Sequence, residues 1–263
     1  MNADNTLSKF LEYSDRLAAN AESDDNVIGL IFLGSAADHS RVDEWSDHDF
    51  FLMVKAGFGE QYRGDLSWIP DIEQAVLHPR ETDHGLKVVF GDGRVLEFAV
   101  FEDAELELAS VNSWAAVVDK TDLTPRLEKI EARSSASAAK PFDRAKEFEL
   151  FLALILIGTG RHRRGETLIA GQFIRSYALR NLLGLIRDAH APVPGTEAKQ
   201  DNLDRYRRFE IQYPSLGRRI ENALQKDLDA AALALVEIAE GLRPLSDREA
   251  AQVAAVRGRL GWV

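Results

Sequence analysis

Leu7, Phe10, Leu11, Ser14, Leu17 and Ala18 recur at helical spacing, which predicts an amphipathic opening helix. Val27 to Leu33 is a continuous apolar, β-branched run that stops at Gly34-Ser35, the pattern of a buried strand breaking into a turn. A polar segment, Ala36 to Ser46, separates it from a second apolar run, Phe50 to Val54. Two more runs, Leu86 to Phe90 and Arg94 to Phe101, flank Gly91-Asp92-Gly93, a hairpin signal because glycine reaches positive φ at little steric cost. The first half therefore reads as helices with a sheet of at least four strands. In the second half, Phe142 to Ile157, Gly165 to His190, Asn202 to Tyr213 and Leu216 to Leu242 all repeat every three to four residues, with breaks such as Ala191-Pro-Val-Pro-Gly195. That half reads as a helical bundle without strands. The expected fold class is α+β, a mixed-sheet domain followed by an all-helical domain.

Charge sharpens this division. The chain has 263 residues and a formal net charge of −11. Residues 1 to 133 hold 27 acidic against 12 basic residues, whereas residues 134 to 263 hold 16 against 20. The change falls at Arg133-Ser-Ser-Ala-Ser-Ala-Ala-Lys-Pro141, which reads as a linker or a loose helix end, so the domains are expected at 1–135 and 136–263. No cysteine is present, which excludes disulfides, thiolate metal sites and cysteine nucleophiles. The longest apolar stretch, Phe148 to Ile157, is too short to span a bilayer, and the first residues lack a signal pattern; a cytoplasmic protein is expected. The acidic balance argues against nucleic acid and anionic membrane as partners and in favour of a small molecule.

The candidate chemistry lies between the first two apolar runs. Gly34-Ser35 is followed by eleven residues and then by Asp47-His48-Asp49, leading directly into Phe50 to Val54. Side chains alternate along a strand, so Asp47 and Asp49 share one side and His48 faces the other. Two carboxylates so close repel unless a cation sits between them, and a hard divalent ion such as Mg²⁺ takes oxygen ligands of this kind. Glu97 interrupts the apolar run of the hairpin's second strand and would complete a three-carboxylate cluster if that strand lay beside the aspartates. Gly34-Ser35 offers a phosphate seat, with a helix expected to start just afterwards.

These residues resemble those of the DNA polymerase β-type nucleotidyltransferase superfamily. Arg164-Gly-Glu166 opening a long helix with Arg175 and Leu179-Arg180-Asn-Leu-Leu183, then Arg207-Arg-Phe-Glu210 and Tyr213-Pro-Ser-Leu216, is similar to the carboxy-terminal domain of aminoglycoside 6-adenylyltransferases and bundle-type lincosamide nucleotidyltransferases. The resemblance implies that Asp47 and Asp49 ligate Mg²⁺ and that Glu97 is the third carboxylate, as ligand, base or both. It implies that Gly34 and Ser35 hold the triphosphate, with Ser46 and Arg41 as further nucleotide contacts. It implies transfer of a nucleoside monophosphate, with ATP as donor, to a hydroxyl of an antibiotic-like small molecule in a cleft between the domains, with release of pyrophosphate. The expected state is a monomer or homodimer.

Two features depart from the superfamily pattern. Ala36-Ala37-Asp38 follows the Gly-Ser pair where relatives carry a basic residue and a glycine, and Asp38 has the wrong charge for a phosphate grip unless Arg41 compensates. Glu97 stands where Asp is common. The alternative is thus a catalytically degenerate nucleotide-binding regulatory module of the same fold. Ordinary structural roles also fit several residues: Ser35 as a helix cap, Glu97 paired with a surface lysine, Arg161, Arg163 and Arg164 compensating a helix dipole, and Arg207 and Arg208 with Glu210 on an ion-paired helix. Trp45 suits either stacking on a ligand ring or anchoring its loop, and Asp43, Glu44 or Glu166 would suit a cationic acceptor. The six histidines include no pair four residues apart, so no zinc site is expected.

Overall fold

The computed structural model describes residues 3–138, 141–197 and 200–262. It divides into two units, Met1–Ala138 and Ala139–Val263, just beyond the position at which charge and composition change.

The first unit is built on a six-stranded sheet. Its strands are β1 (Val27–Leu33), β2 (His48–Val54), β3 (Ala75–Leu77), β4 (Gly85–Phe90), β5 (Val95–Glu102) and β6 (Trp114–Asp119), in the order β3-β4-β5-β2-β1-β6. β2 and β5 run parallel, and the other neighbouring pairs are antiparallel. β1 is an interior strand covered on both faces, which is why it reads as an unbroken apolar run. Gly29 lies within it because a Cβ there would meet Leu123 Cδ1 at 2.3 Å. On one face, α1 (Ala3–Ser23) packs Phe10, Tyr13, Leu17 and Ala21 into a core with Leu30, Phe50, Leu52, Leu96 and Phe98. On the other face, Leu127 and Ile130 of α4 (Thr124–Ala138) join Ile31, Met53, Phe101 and Leu106. Two short α-helices, α2 (Gly34–Ala37) and α3 (Gly59–Gly64), and three 3-10 turns join them among the described residues of this unit.

The hairpin expected at Gly91-Asp92-Gly93 joins β4 to β5, with Gly93 at φ +91°. β3 and β6 were not apparent from the hydrophobic pattern: β3 is only three residues long, and β6 is an edge strand of alanines and valines half open to solvent. Of the small-residue run that reads as a linker or a loose helix end, residues 133 to 138 are the end of α4, and positions 139 and 140 lie outside the described residues. Ser134 Oγ donates to the Ile130 carbonyl at 2.9 Å within that helix, and Arg133 donates to the carbonyls of Glu107 and Ala109, each at 2.9 Å.

The second unit contains α5 (Arg144–Arg163), α6 (Thr167–Gln172), α7 (Leu179–Ala189), α8 (Phe209–Gln212), α9 (Pro214–Leu224), α10 (Leu228–Glu240) and α11 (Asp247–Leu260). A π-helical turn, Phe173–Ala178, fuses α6 to α7. No strand occurs among its described residues. The helices close on Phe148, Phe151, Ile155, Ile174, Leu182, Ile186 and Leu235. Two expected helices change extent. Asn202 to Tyr213 is helical only over α8, because the Asp204 carboxylate accepts the Tyr206 amide at 2.9 Å, a local bond that takes the donor a helix would give to the Asn202 carbonyl. Leu216 to Leu242 breaks into α9 and α10, since Asp227 caps the second helix by accepting the Ala230 amide at 3.0 Å.

Candidate metal and nucleotide site

The site grows from the alternation of β2. His48 points into the α1 face, where it is 3% exposed and stacks on Phe10 with ring centroids 3.8 Å apart. Ser14 Oγ donates to the Phe10 carbonyl, so the two acceptors left require the tautomer protonated at Nε2, which donates to Ser14 Oγ (3.1 Å) and the Phe10 carbonyl (3.2 Å). Burial pushes the imidazole down to about 4, so it is neutral at physiological pH. The chain's one strand-opening histidine is therefore part of the packing.

Asp49 points to the opposite face, and Asp47, two residues earlier, follows the same alternation. The parallel pairing sets Asp49 directly opposite Glu97 on β5. One ligand oxygen each from Asp47, Asp49 and Glu97 lies within 4.8 Å of the others. Oxygens around one Mg²⁺ stand about 3–4 Å apart, so small side-chain rotations would bring this set onto a single ion. The donors are hard oxygen ligands at a partly open position, which suits Mg²⁺ rather than a softer metal.

β1 ends beside this cluster. Gly34 has φ +55°, and a Cβ on it would stand 3.1 Å from Asp49 Oδ2, so both backbone conformation and close approach call for glycine. Its amide donates to the Ser113 carbonyl at 3.2 Å, so Gly34 contributes proximity to Asp49 rather than a free N–H. The helix expected after it is the single turn α2. Ser35 Oγ donates to the Asp47 carbonyl at 3.4 Å, tying the end of β1 to the start of β2.

The connecting loop gives the remaining candidates local partners. Arg41 pairs with Asp38 at 3.2 Å, one basic and one acidic charge offsetting each other next to the Gly-Ser pair. The Ser46 hydroxyl accepts the Asp43 amide at 2.9 Å in a tight turn, and Asp43 accepts the Trp45 amide at 2.8 Å. Trp45 is 86% exposed, so it does not anchor the loop.

Glu97 has a second neighbour that was foreseen only as an unnamed surface lysine. Lys87 stands opposite it across the β4–β5 hairpin and donates to Glu97 Oε1 at 3.0 Å and also to Glu81. The signal was present: positions 87 and 97 are symmetric about Asp92, the centre of the hairpin.

The arginines of the second unit find local partners. Arg161 and Arg164 share Glu166 at 2.6 and 3.0 Å, which occupies the carboxylate considered for a cationic acceptor. Arg163 pairs with Asp229 at 2.6 Å. Arg207 and Arg208 turn to Asp201, at 3.7 and 3.2 Å, in place of the expected Glu210. Arg175 donates to the Lys226 carbonyl, and Arg187 lies over the Phe209 ring.

No family model matches this chain, and no curated protein matches it. Among solved structures it is similar to an aminoglycoside 6-adenyltransferase from Bacillus subtilis, with 14% identity over 94% of this chain and 97% of that one, at a TM-score of 0.31. It is also similar to E. coli CdnC from its complex with HORMA-deltaN, with 14% identity over 97% of this chain and 91% of that one, at a TM-score of 0.34. A nucleotidyltransferase-like protein from Exiguobacterium sibiricum shares 11% identity over 95% of this chain and 88% of its own, at a TM-score of 0.34.

Proposed function

We propose that the protein is an Mg²⁺-dependent nucleotidyltransferase that moves a nucleoside monophosphate from a nucleoside triphosphate, ATP in the first instance, to a hydroxyl of a small molecule. The observation that carries this reading is the in-register pairing of Asp49 with Glu97, which gathers three carboxylates next to Gly34-Ser35. Like charges held together at a partly open edge are costly unless a cation neutralises them. A bound divalent ion would supply that neutralisation, together with charge compensation of a triphosphate and a more acidic acceptor hydroxyl.

In this reading Asp47, Asp49 and Glu97 hold the ion, and the Gly34-Ser35 turn receives the triphosphate. Glu97 accepts the proton of the acceptor hydroxyl. The acceptor oxygen forms a bond to the α-phosphorus as the bond to the β-phosphate's bridging oxygen breaks, and pyrophosphate leaves. Most of the catalysis is positioning and charge compensation.

Asp38 beside the phosphate seat favours a second reading, a module that binds nucleotide without turning it over; its ion pair with Arg41 lessens that objection. Calorimetric titration of ATP, GTP, CTP and UTP with and without Mg²⁺, on wild type and Asp49→Asn, tests both. Metal-dependent binding that Asp49→Asn abolishes, followed by pyrophosphate release with a hydroxyl acceptor, supports the transferase. Binding without pyrophosphate release across an acceptor screen supports the module, and binding indifferent to Asp49 sinks both.

A further inference from the structure

The sheet order β4-β5-β2-β1 lines up four features in sequence: Lys87, Glu97, Asp49 and the Gly34-Ser35 turn. Lys87 thus stands on the side of Glu97 away from the aspartates. Its ammonium bridges two carboxylates, Glu97 and Glu81, and the Lys87 side chain is one-third exposed. Any cation arriving at the three-carboxylate cluster must share Glu97 with this ammonium, whose charge also repels it. Glu81 gives the ammonium a second seat, so it can release Glu97 without being left unpaired.

We propose that Lys87 is a built-in counter-cation of the metal site, a positioning residue that screens Glu97 while the site is empty and shifts onto Glu81 when a metal ion binds. This rests on the metal-site reading above. Lys87 then sets the metal affinity from outside the ligand set, and Glu81 acts in the opposite sense by drawing the ammonium away.

The test is Mn²⁺ titration of the full chain, followed by paramagnetic resonance of the free ion, for wild type, K87M, K87R, E81Q, K87M/E81Q and D49N. K87M is expected to bind Mn²⁺ about two- to fivefold more tightly, the range of an exposed ion pair. E81Q leaves Lys87 to Glu97 alone and is expected to bind about twofold more weakly, and K87R, which keeps the charge, stays near wild type. The differences should shrink as ionic strength rises. Opposite signs follow from nearby charge alone, so the double variant K87M/E81Q decides: if Glu81 acts through Lys87, E81Q no longer weakens binding in the K87M background, and an undiminished weakening there overturns the proposal. If D49N abolishes binding while K87M binds no more tightly than wild type, or E81Q moves in the same direction as K87M, the Lys87 proposal fails alone. If wild type binds no Mn²⁺, or D49N binds as wild type does, the metal-site reading fails and takes this one with it.

Discussion

The two sides of β2 solve the same problem of polar side chains in opposite ways. His48 enters a dry, aromatic core, is held neutral there, and spends its hydrogen-bonding capacity on Ser14 and Phe10. One residue later, Asp49 meets Glu97 and Asp47, groups of its own charge. On the first side, polarity is consumed by the fold. On the second, three carboxylates stand together at a partly open position, where Lys87 donates to Glu97 and divides itself with Glu81. The contrast shows how a strand can separate packing from chemistry with nothing more than alternation.

Paired substitutions at neighbouring positions test that separation most strongly. Asp49→Asn should lower metal-dependent turnover by on the order of 10³-fold, the loss expected for a group that stabilises developing charge. Its melting temperature should stay close to that of wild type, because the near-isosteric amide keeps the side chain's shape and a hydrogen-bonding oxygen. Phe50→Ala should do the reverse. Phe50 is fully buried and stacks on Phe98 at 4.9 Å, so truncation should cost about 3–5 kcal/mol in chemical denaturation. If Asp49→Asn unfolds the protein, the two sides are not separate.

The next effect in size is pH dependence on the buried side. Above its ordinary value of 6.5, His48 is neutral whether the chain is folded or not. As pH falls below 6.5, the unfolded chain takes up a proton that the folded one refuses until about pH 4, so stability is lost across that window. The contribution is up to about 3 kcal/mol. Denaturation of wild type and His48→Phe at pH 7 and pH 4.5 should show a shallower decline in the variant, and parallel declines would refute a neutral buried imidazole.

Gly34→Ala probes the contact between the turn and the metal side. Forcing alanine to φ +55° should cost about 1–2 kcal/mol, and the new Cβ presses on Asp49 Oδ2. Metal affinity should fall along with stability; a stability loss with unchanged affinity would show that the turn does not position Asp49.

Local pattern made much of this protein readable. Continuous apolar residues announced β1, Gly91-Asp92-Gly93 announced the β4–β5 hairpin, and helical spacing announced α1 and α5. Patterns failed where local hydrogen bonds or sheet position outweighed them. Asp204 captured the Tyr206 amide that a helix over residues 202 to 208 would have used, and the edge strand β6 carried no strong apolar signal. The arginines looked like one basic surface in the sequence, but each of Arg161, Arg163, Arg164 and Arg208 found its carboxylate through folding.

For the candidate site the division is sharper. Alternation alone put Asp47 and Asp49 on one side of β2 and His48 on the other, because that geometry is a property of any strand. Hairpin symmetry alone paired Lys87 with Glu97, because both strands leave the same turn. That Glu97 stands beside Asp49 was decided only by the tertiary structure. β2 and β5 are distant in the chain and parallel, so no turn links them, and their partnership and register follow from how the whole sheet packs between its two cores.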